Sequence, residues 1–210
     1  MFIIIFVIIL FVTVAFNFNR GLWKNMVTLI NVIFAGLLAT NYFEPVAEMA
    51  KGWNITFDYV WDVLAAWLLF AGSMFLLRVF TDRLTVEKVR FIKPVDLGGG
   101  VFFSLWSGWI LACFACMTFH LAPIPRDSVE ASPATSSLPL SADRTWLGFM
   151  QGQSYGALGQ AASDKDNDYI FDAQGDFILR YGASRKKLEE LKAASPDPSV
   201  FRFPKGREGT

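Results

Sequence analysis

Four apolar stretches, about Met1–Phe16, Val27–Phe43, Tyr59–Phe80 and Leu97–Phe119, dominate the N-terminal half of this chain. A bilayer core about 30 Å thick takes roughly 20 residues of helix to cross. Inside it, backbone polar groups must pair within the segment, which makes each stretch a helix rather than a loop or an open strand. The fold expected is an α-helical membrane protein: four transmembrane helices followed by a small, partly ordered α+β polar tail. A soluble enzyme is excluded by the same feature.

The boundaries follow from where the composition changes. A membrane domain, 1–122, carries spans near 1–18, 25–43, 58–80 and 97–119. Pro123, Pro125 and a Ser/Pro/Thr-rich run make 123–140 a linker. A polar tail domain, 141–195, follows, and 196–210, with Pro198 and Pro204, reads as disordered. The first stretch is not read as a secretory signal. No Lys or Arg precedes Arg20, and Val14-Ala15-Phe16 is no small-residue cleavage site.

Charge is balanced, 19 basic residues against 19 acidic, so no global field points to nucleic acid or to an acidic substrate. Its distribution carries the information. Arg20 and Lys24 lie in the first connection, and Arg83, Lys88, Arg90 and Lys93 in the third, with Arg78 just before it. The second connection has Glu44, Glu48 and Asp58 against Lys51. Basic short loops mark the cytoplasmic side, which puts both termini outside the cytoplasm. The cluster Arg185, Lys186 and Lys187 lies in the tail, where long domains translocate largely regardless of charge.

Polar residues inside the spans are few. Lys24 and Asn25 begin the second span and can snorkel to the interface, Asn31 lies at helical depth, and Pro45 marks the end of that helix. A buried amide in hydrocarbon seeks an interhelical partner. Asp62, about one turn into the third span, is either an interfacial carboxylate or part of a proton relay. Trp61 and Trp67 suit an interfacial belt. Cys113 and Cys116, on one helix face with no second pair and no βαβ context, read as packing residues.

The fourth span is the most patterned. Gly100, Ser104, Gly108, Ala112 and Cys116 recur every four residues, a small-residue stripe that permits close helix approach. The stripe serves either packing within one bundle or contact with a second copy of the chain.

Two motifs combine with this span order. Arg20-Gly21 directly follows the first span, with Lys24 and the second span beyond. Asp96-x-x-x-Gly100-x-x-Phe103-Ser104-x-x-x-Gly108 enters the fourth. In both, the chain resembles the colicin V production (CvpA-like) family of bacterial membrane proteins over about residues 1–122. Leu97 stands where the family pattern has Arg, and Ser104 where it has a middle Gly. The resemblance implies a multi-pass protein of the bacterial inner (cytoplasmic) membrane, linked to colicin V (toxin) production and to envelope maintenance. It transfers no catalytic residue and implies no cofactor.

In the tail, Trp146, Leu147, Phe149, Met150 and Leu158 give the apolar face of a short helix. Gly148, Gly152, Gly156 and Gly159 weaken it by about 1 kcal/mol each relative to Ala. Tyr169-Ile170-Phe171 and Phe177-Ile178-Leu179, flanking Asp172-Ala173-Gln174-Gly175, read as a hairpin. Ser184 caps a helix through Lys192. Asp164, Asp166 and Asp168 have the spacing that opens a calcium loop. Tyr169 and Gly175 occupy the positions where that loop needs Gly and Glu, so the run reads as a solvated acidic loop. His120, the single histidine, sits at a helix end and reads as interfacial, a metal site needing several converging ligands. Asn54-Ile55-Thr56 fits a glycosylation sequon, discounted in a bacterium.

No Ser/His/Asp arrangement, HExxH or phosphate loop is present. The reading is a non-enzymatic membrane scaffold or partner-binding component that needs no cofactor or metal. Its partners would be the lipid bilayer, an unknown envelope protein through the tail, and a second copy through the Gly100/Ser104/Gly108 face, but not nucleic acid. The alternative is a subunit of an oligomeric transporter or channel, with Asn31, Asp62 and Arg78 lining a path.

Overall fold

Long apolar segments form the frame. The structure, a computed structural model, describes residues 2–51, 60–84, 91–122, 130–132, 135–136, 141–155, 171–172, 175 and 177–194. Helix α1 (Phe2–Asn17) passes through a 3-10 turn (Phe18–Arg20) into α2 (Gly21–Lys51). Helices α3 (Trp61–Leu84), α4 (Lys93–Leu121), α5 (Ala142–Tyr155) and α6 (Phe177–Ala194) complete the helical elements among the described residues. Two short strands, β1 (Glu130–Ser132) and β2 (Thr135–Ser136), pair antiparallel between α4 and α5.

Among the described residues three helices are long and apolar enough to cross a membrane: α2 over Gly21–Ala50, α3 and α4. Helix α1 has 16 residues, about 24 Å at 1.5 Å per residue. Its Ile3, Ile4, Val7, Ile8, Phe11, Val12 and Phe16 are exposed, as are Leu68, Phe75, Leu76 and Phe80 of α3. Apolar faces of this kind are suited to lipid.

Contacts set the helix directions. Phe6 meets Trp109 edge-on at 5.4 Å, and Leu10 and Thr13 lie against Gly108, so α1 runs antiparallel to α4. Helix α3 is antiparallel to both its neighbours: Asn31 of α2 reaches Thr81, while Phe70 stacks on Phe114 of α4 at 4.8 Å. Helices α2 and α4 run parallel, with Asn25 beside Gly100 at one end. At the other end α5 and α6 sit on α2 and α4, in one continuous apolar core that includes Phe43, Phe70, Phe114, Trp146 and Phe177.

Several expectations change. Pro45 does not end the second helix, which continues to Lys51. A proline frees the carbonyl four residues back, here that of the exposed Asn41. Asn25 does not snorkel; it is fully buried. The hairpin expected over 169–179 does not form among the described residues: Phe171–Asp172 is a turn and Phe177 opens α6. The Asp172 carboxylate accepts the Phe177 N–H at 3.0 Å, capping that helix. Ser184 therefore lies inside α6 rather than at its start. Asn54–Thr56, Asp58, Asp164–Asp168, Tyr169–Ile170 and 196–210 lie outside the described residues.

Candidate functional site

The two sequence motifs meet in one joint. Gly21, at the junction of the 3-10 turn and α2, has φ +78° and ψ 168°, a region essentially reserved for glycine. A Cβ there would lie 2.9 Å from both carboxylate oxygens of Asp96. The absence of that atom lets Asp96 Oδ1 accept the Leu22 N–H at 2.8 Å. This satisfies one of the N–H groups a helix start leaves unpaired, and it ties the start of α2 to the start of α4.

One turn further, Asn25 donates through Nδ2 to the carbonyls of Asn17 (3.0 Å) and Gly100 (2.8 Å). Both partners are carbonyl oxygens, so the orientation of the amide follows from them. Three helices, α1, α2 and α4, are bonded through this single side chain. A Cβ on Gly100 would come within 3.3 Å of the Gly21 backbone, and one on Gly99 would strike Leu22.

The small-residue stripe continues from this joint. Ser104 Oγ reaches the Thr13 carbonyl at 3.4 Å, and a Cβ at Gly108 would meet Leu10 and Thr13 at 3.1–3.2 Å. Gly100, Ser104, Gly108, Ala112 and Cys116 are all buried inside the chain. Within the chain, α1 and the start of α2 pack against Gly100, Ser104 and Gly108. Phe103 lies half-buried beside it, in edge contact with Phe102. Arg20 immediately precedes the joint. Cys113 and Cys116 are free and buried.

The intramembrane polar residues do not converge. Asn31 donates to Thr81 Oγ1 at 2.9 Å. Asp62 stands in the first turn of α3, where a carboxylate favours the helix dipole. Nineteen residues of α3 separate it from Thr81, about 28 Å. Arg78 shares the Asn31 end of the bundle.

A second built region seats the tail. His120 is not interfacial but 2% exposed, and its Nε2 lies 2.8 Å from Oδ2 of Asp143, itself 1% exposed. With Asp143 ionised the bond places the proton on Nε2, leaving Nδ1 buried without a hydrogen-bond partner. Beside this pair, Trp146 enters a notch over Gly36. Its Nε1 donates to Thr40 Oγ1 at 3.1 Å, and its ring meets Phe114 edge-on at 5.7 Å. The end of α2 completes the seat: Glu44 accepts from Tyr181 at 3.1 Å and lies 3.7 Å from Arg180.

A Cβ on Gly36 would lie 2.5 Å from Trp146. Gly36→Ala is therefore expected to expel the indole from its notch, at about 1–3 kcal/mol for overpacking. Faster amide hydrogen exchange confined to α5 would register it.

Asn25, Asp143 and the Gly36–Trp146 notch escaped the sequence reading. Asn25 had a signal: an amide four residues after the motif glycine, on the same helix face. Asp143 had a weaker one, an acid three residues before a tryptophan in an otherwise apolar helix face.

The joint explains why the motif positions hold these residues, and the family comparison covers the same positions. The family model for the colicin V production protein matches residues 2–141. The chain belongs to the colicin V production protein family. The match covers the four apolar helices, the joint and the connection that leads to α5. No match was found among curated proteins or among solved structures.

Proposed function

We propose that this member of the colicin V production family is a non-enzymatic, four-span protein of the bacterial inner membrane. Both termini face away from the cytoplasm, and the protein acts as a scaffold that holds an envelope partner through its tail during colicin V production and envelope maintenance. The observation that carries this reading is the seat of the tail on the bundle. Helices α5 and α6 are anchored at Thr40, Glu44 and His120, the end opposite Arg20, Lys24 and Arg78. A tail held this firmly presents a fixed surface, on which Phe149 and Leu179 stay exposed.

Helix α1 counts as the fourth span in this reading. Its 16 residues give about 24 Å, and a stretch shorter than the core of about 30 Å is accommodated by local thinning of the bilayer and by snorkelling flanking residues. The basic segments at its end and at the end of α3 supply the cytoplasmic bias.

An alkaline phosphatase fused after Thr210 in a bacterial host is expected to be active, and a fluorescent protein at the same place dark. The reverse pattern would overturn the orientation. Mild-detergent purification through a tag at Thr210 that recovers no envelope protein would overturn the scaffold role.

A further inference from the structure

At the bundle end remote from the tail, a cavity of about 100 Å³ opens between α2 and α3. Arg20, Lys24 and Arg78 line it with Asp82, so among the described residues three cations face one carboxylate. Asp82 pairs with Arg78 at 3.8 Å, with both side chains well exposed. Among the described residues neither Arg20 nor Lys24 has an ion-pair partner. Thr28, Asn31 and Thr81 add hydroxyl and amide groups to the wall, and Trp23 adds an indole. The Trp23 indole N–H is buried with no acceptor. Burial, then the like charge of Arg78, lowers the affinity of Arg20 for its proton, and Asp82 opposes them. An anion in the cavity would relieve both.

We propose that this cavity is a binding site for a phosphate group, in which Arg20 and Arg78 clamp the phosphate oxygens, Lys24 supplies a third charge and the Trp23 N–H donates to one oxygen. The chemistry fits at each position. A guanidinium matches two phosphate oxygens at once. Lys24 is an exposed point charge at the mouth. The indole N–H is a buried donor left without an acceptor among the described residues. A phosphate-sized group fits the volume.

Two sources share this chemistry: the headgroup of an anionic lipid and a small soluble phosphate. Arg20 and Lys24 flank the start of one crossing helix and Arg78 lies near the end of another, a level at which basic pockets between helices meet headgroups. The site requires only that the helices lie in a bilayer. It holds for either orientation of the chain and survives failure of the scaffold reading.

The test uses the full-length protein purified in a neutral detergent. Native mass spectrometry counts phosphatidylglycerol retained against phosphatidylcholine, and calorimetry titrates inorganic phosphate in parallel. Wild type is expected to retain phosphatidylglycerol selectively. Lys24→Gln and Arg20→Gln should each lower retention about fivefold, near the worth of one basic residue at a membrane surface. Lys93→Gln, which removes a charge near the same end but outside the cavity, should leave retention unchanged. Retention of phosphatidylglycerol without a phosphate isotherm identifies the lipid as the source. A phosphate isotherm without lipid selectivity, lost in Lys24→Gln, identifies a soluble ligand. Absence of both signals, or equal losses in Lys93→Gln and Lys24→Gln, would overturn the proposal.

Discussion

Asp143→Ala is expected to release the tail from the bundle while leaving the transmembrane helices folded. In the native chain the His120 imidazole is buried, its Nε2 bonded to Asp143 and its Nδ1 without a hydrogen-bond partner. Removing the carboxylate leaves the ring with no partner at either nitrogen, in a site where water does not reach it. A buried polar group so orphaned costs about 1–3 kcal/mol. At 1.4 kcal/mol per factor of ten, 3 kcal/mol corresponds to about a hundredfold faster amide exchange in α5. Asp143→Asn retains an oxygen that can accept from Nε2 and should recover most of the protection. Replacing both partners, His120→Leu with Asp143→Leu, removes the orphan and should cost less than Asp143→Ala alone. If the three variants exchange alike in α5, the pair does not hold the tail.

The tail also shows where reading the sequence stops. Its first helix was legible, because Trp146, Leu147 and Met150 recur on one face and bury together. What they bury against was not, because Gly36 and Thr40 lie more than a hundred positions earlier in an unremarkable apolar run. His120 was misread for the same reason. At the end of an apolar helix a lone histidine reads as interfacial, and only a carboxylate brought back from α5 turns that end into an interior. The hairpin read over 169–179 followed local pattern, two apolar triplets around a Gly, and its second half, Phe177–Leu179, is helix. A side-chain cap from Asp172, together with the contacts of Phe177 with Phe43 and of Tyr181 with Phe177, favours a helix instead.

The membrane part was more legible because hydrocarbon leaves few options. Apolar length dictated helices, and the spacing of Gly100, Ser104 and Gly108 dictated close approach. What the spacing could not choose was the partner. A stripe open to a second copy and a stripe packed against α1 have the same sequence; within this chain Leu10 and Thr13 of α1 lie against Gly108. Pro45 is the converse case: the residue reads as a stop, yet near a helix end its freed carbonyl need not be buried.

The 3-10 turn between α1 and α2 is the basis of the other large effect. Gly21→Ala is expected to unlock the joint between α1, α2 and α4 and to lower the stability of the whole bundle. The methyl group would meet both Asp96 oxygens at 2.9 Å, in a backbone conformation that by itself costs about 1–3 kcal/mol for any residue but glycine. Relief requires Asp96 to leave, which removes its bond to Leu22. The first turn of α2 would then shift from Asn25, whose two bonds span the same joint. Asn25→Leu reaches the same end by another route, leaving the carbonyls of Asn17 and Gly100 without their donor at about 1 kcal/mol or more each. The two changes act on one structural unit, so the double variant should lose less than the sum of the singles. Thermal unfolding in detergent, followed by helical circular dichroism, checks this. A simple sum would mean that Gly21 and Asn25 support separate contacts, and the reading of one joint assembled from two motifs would fail.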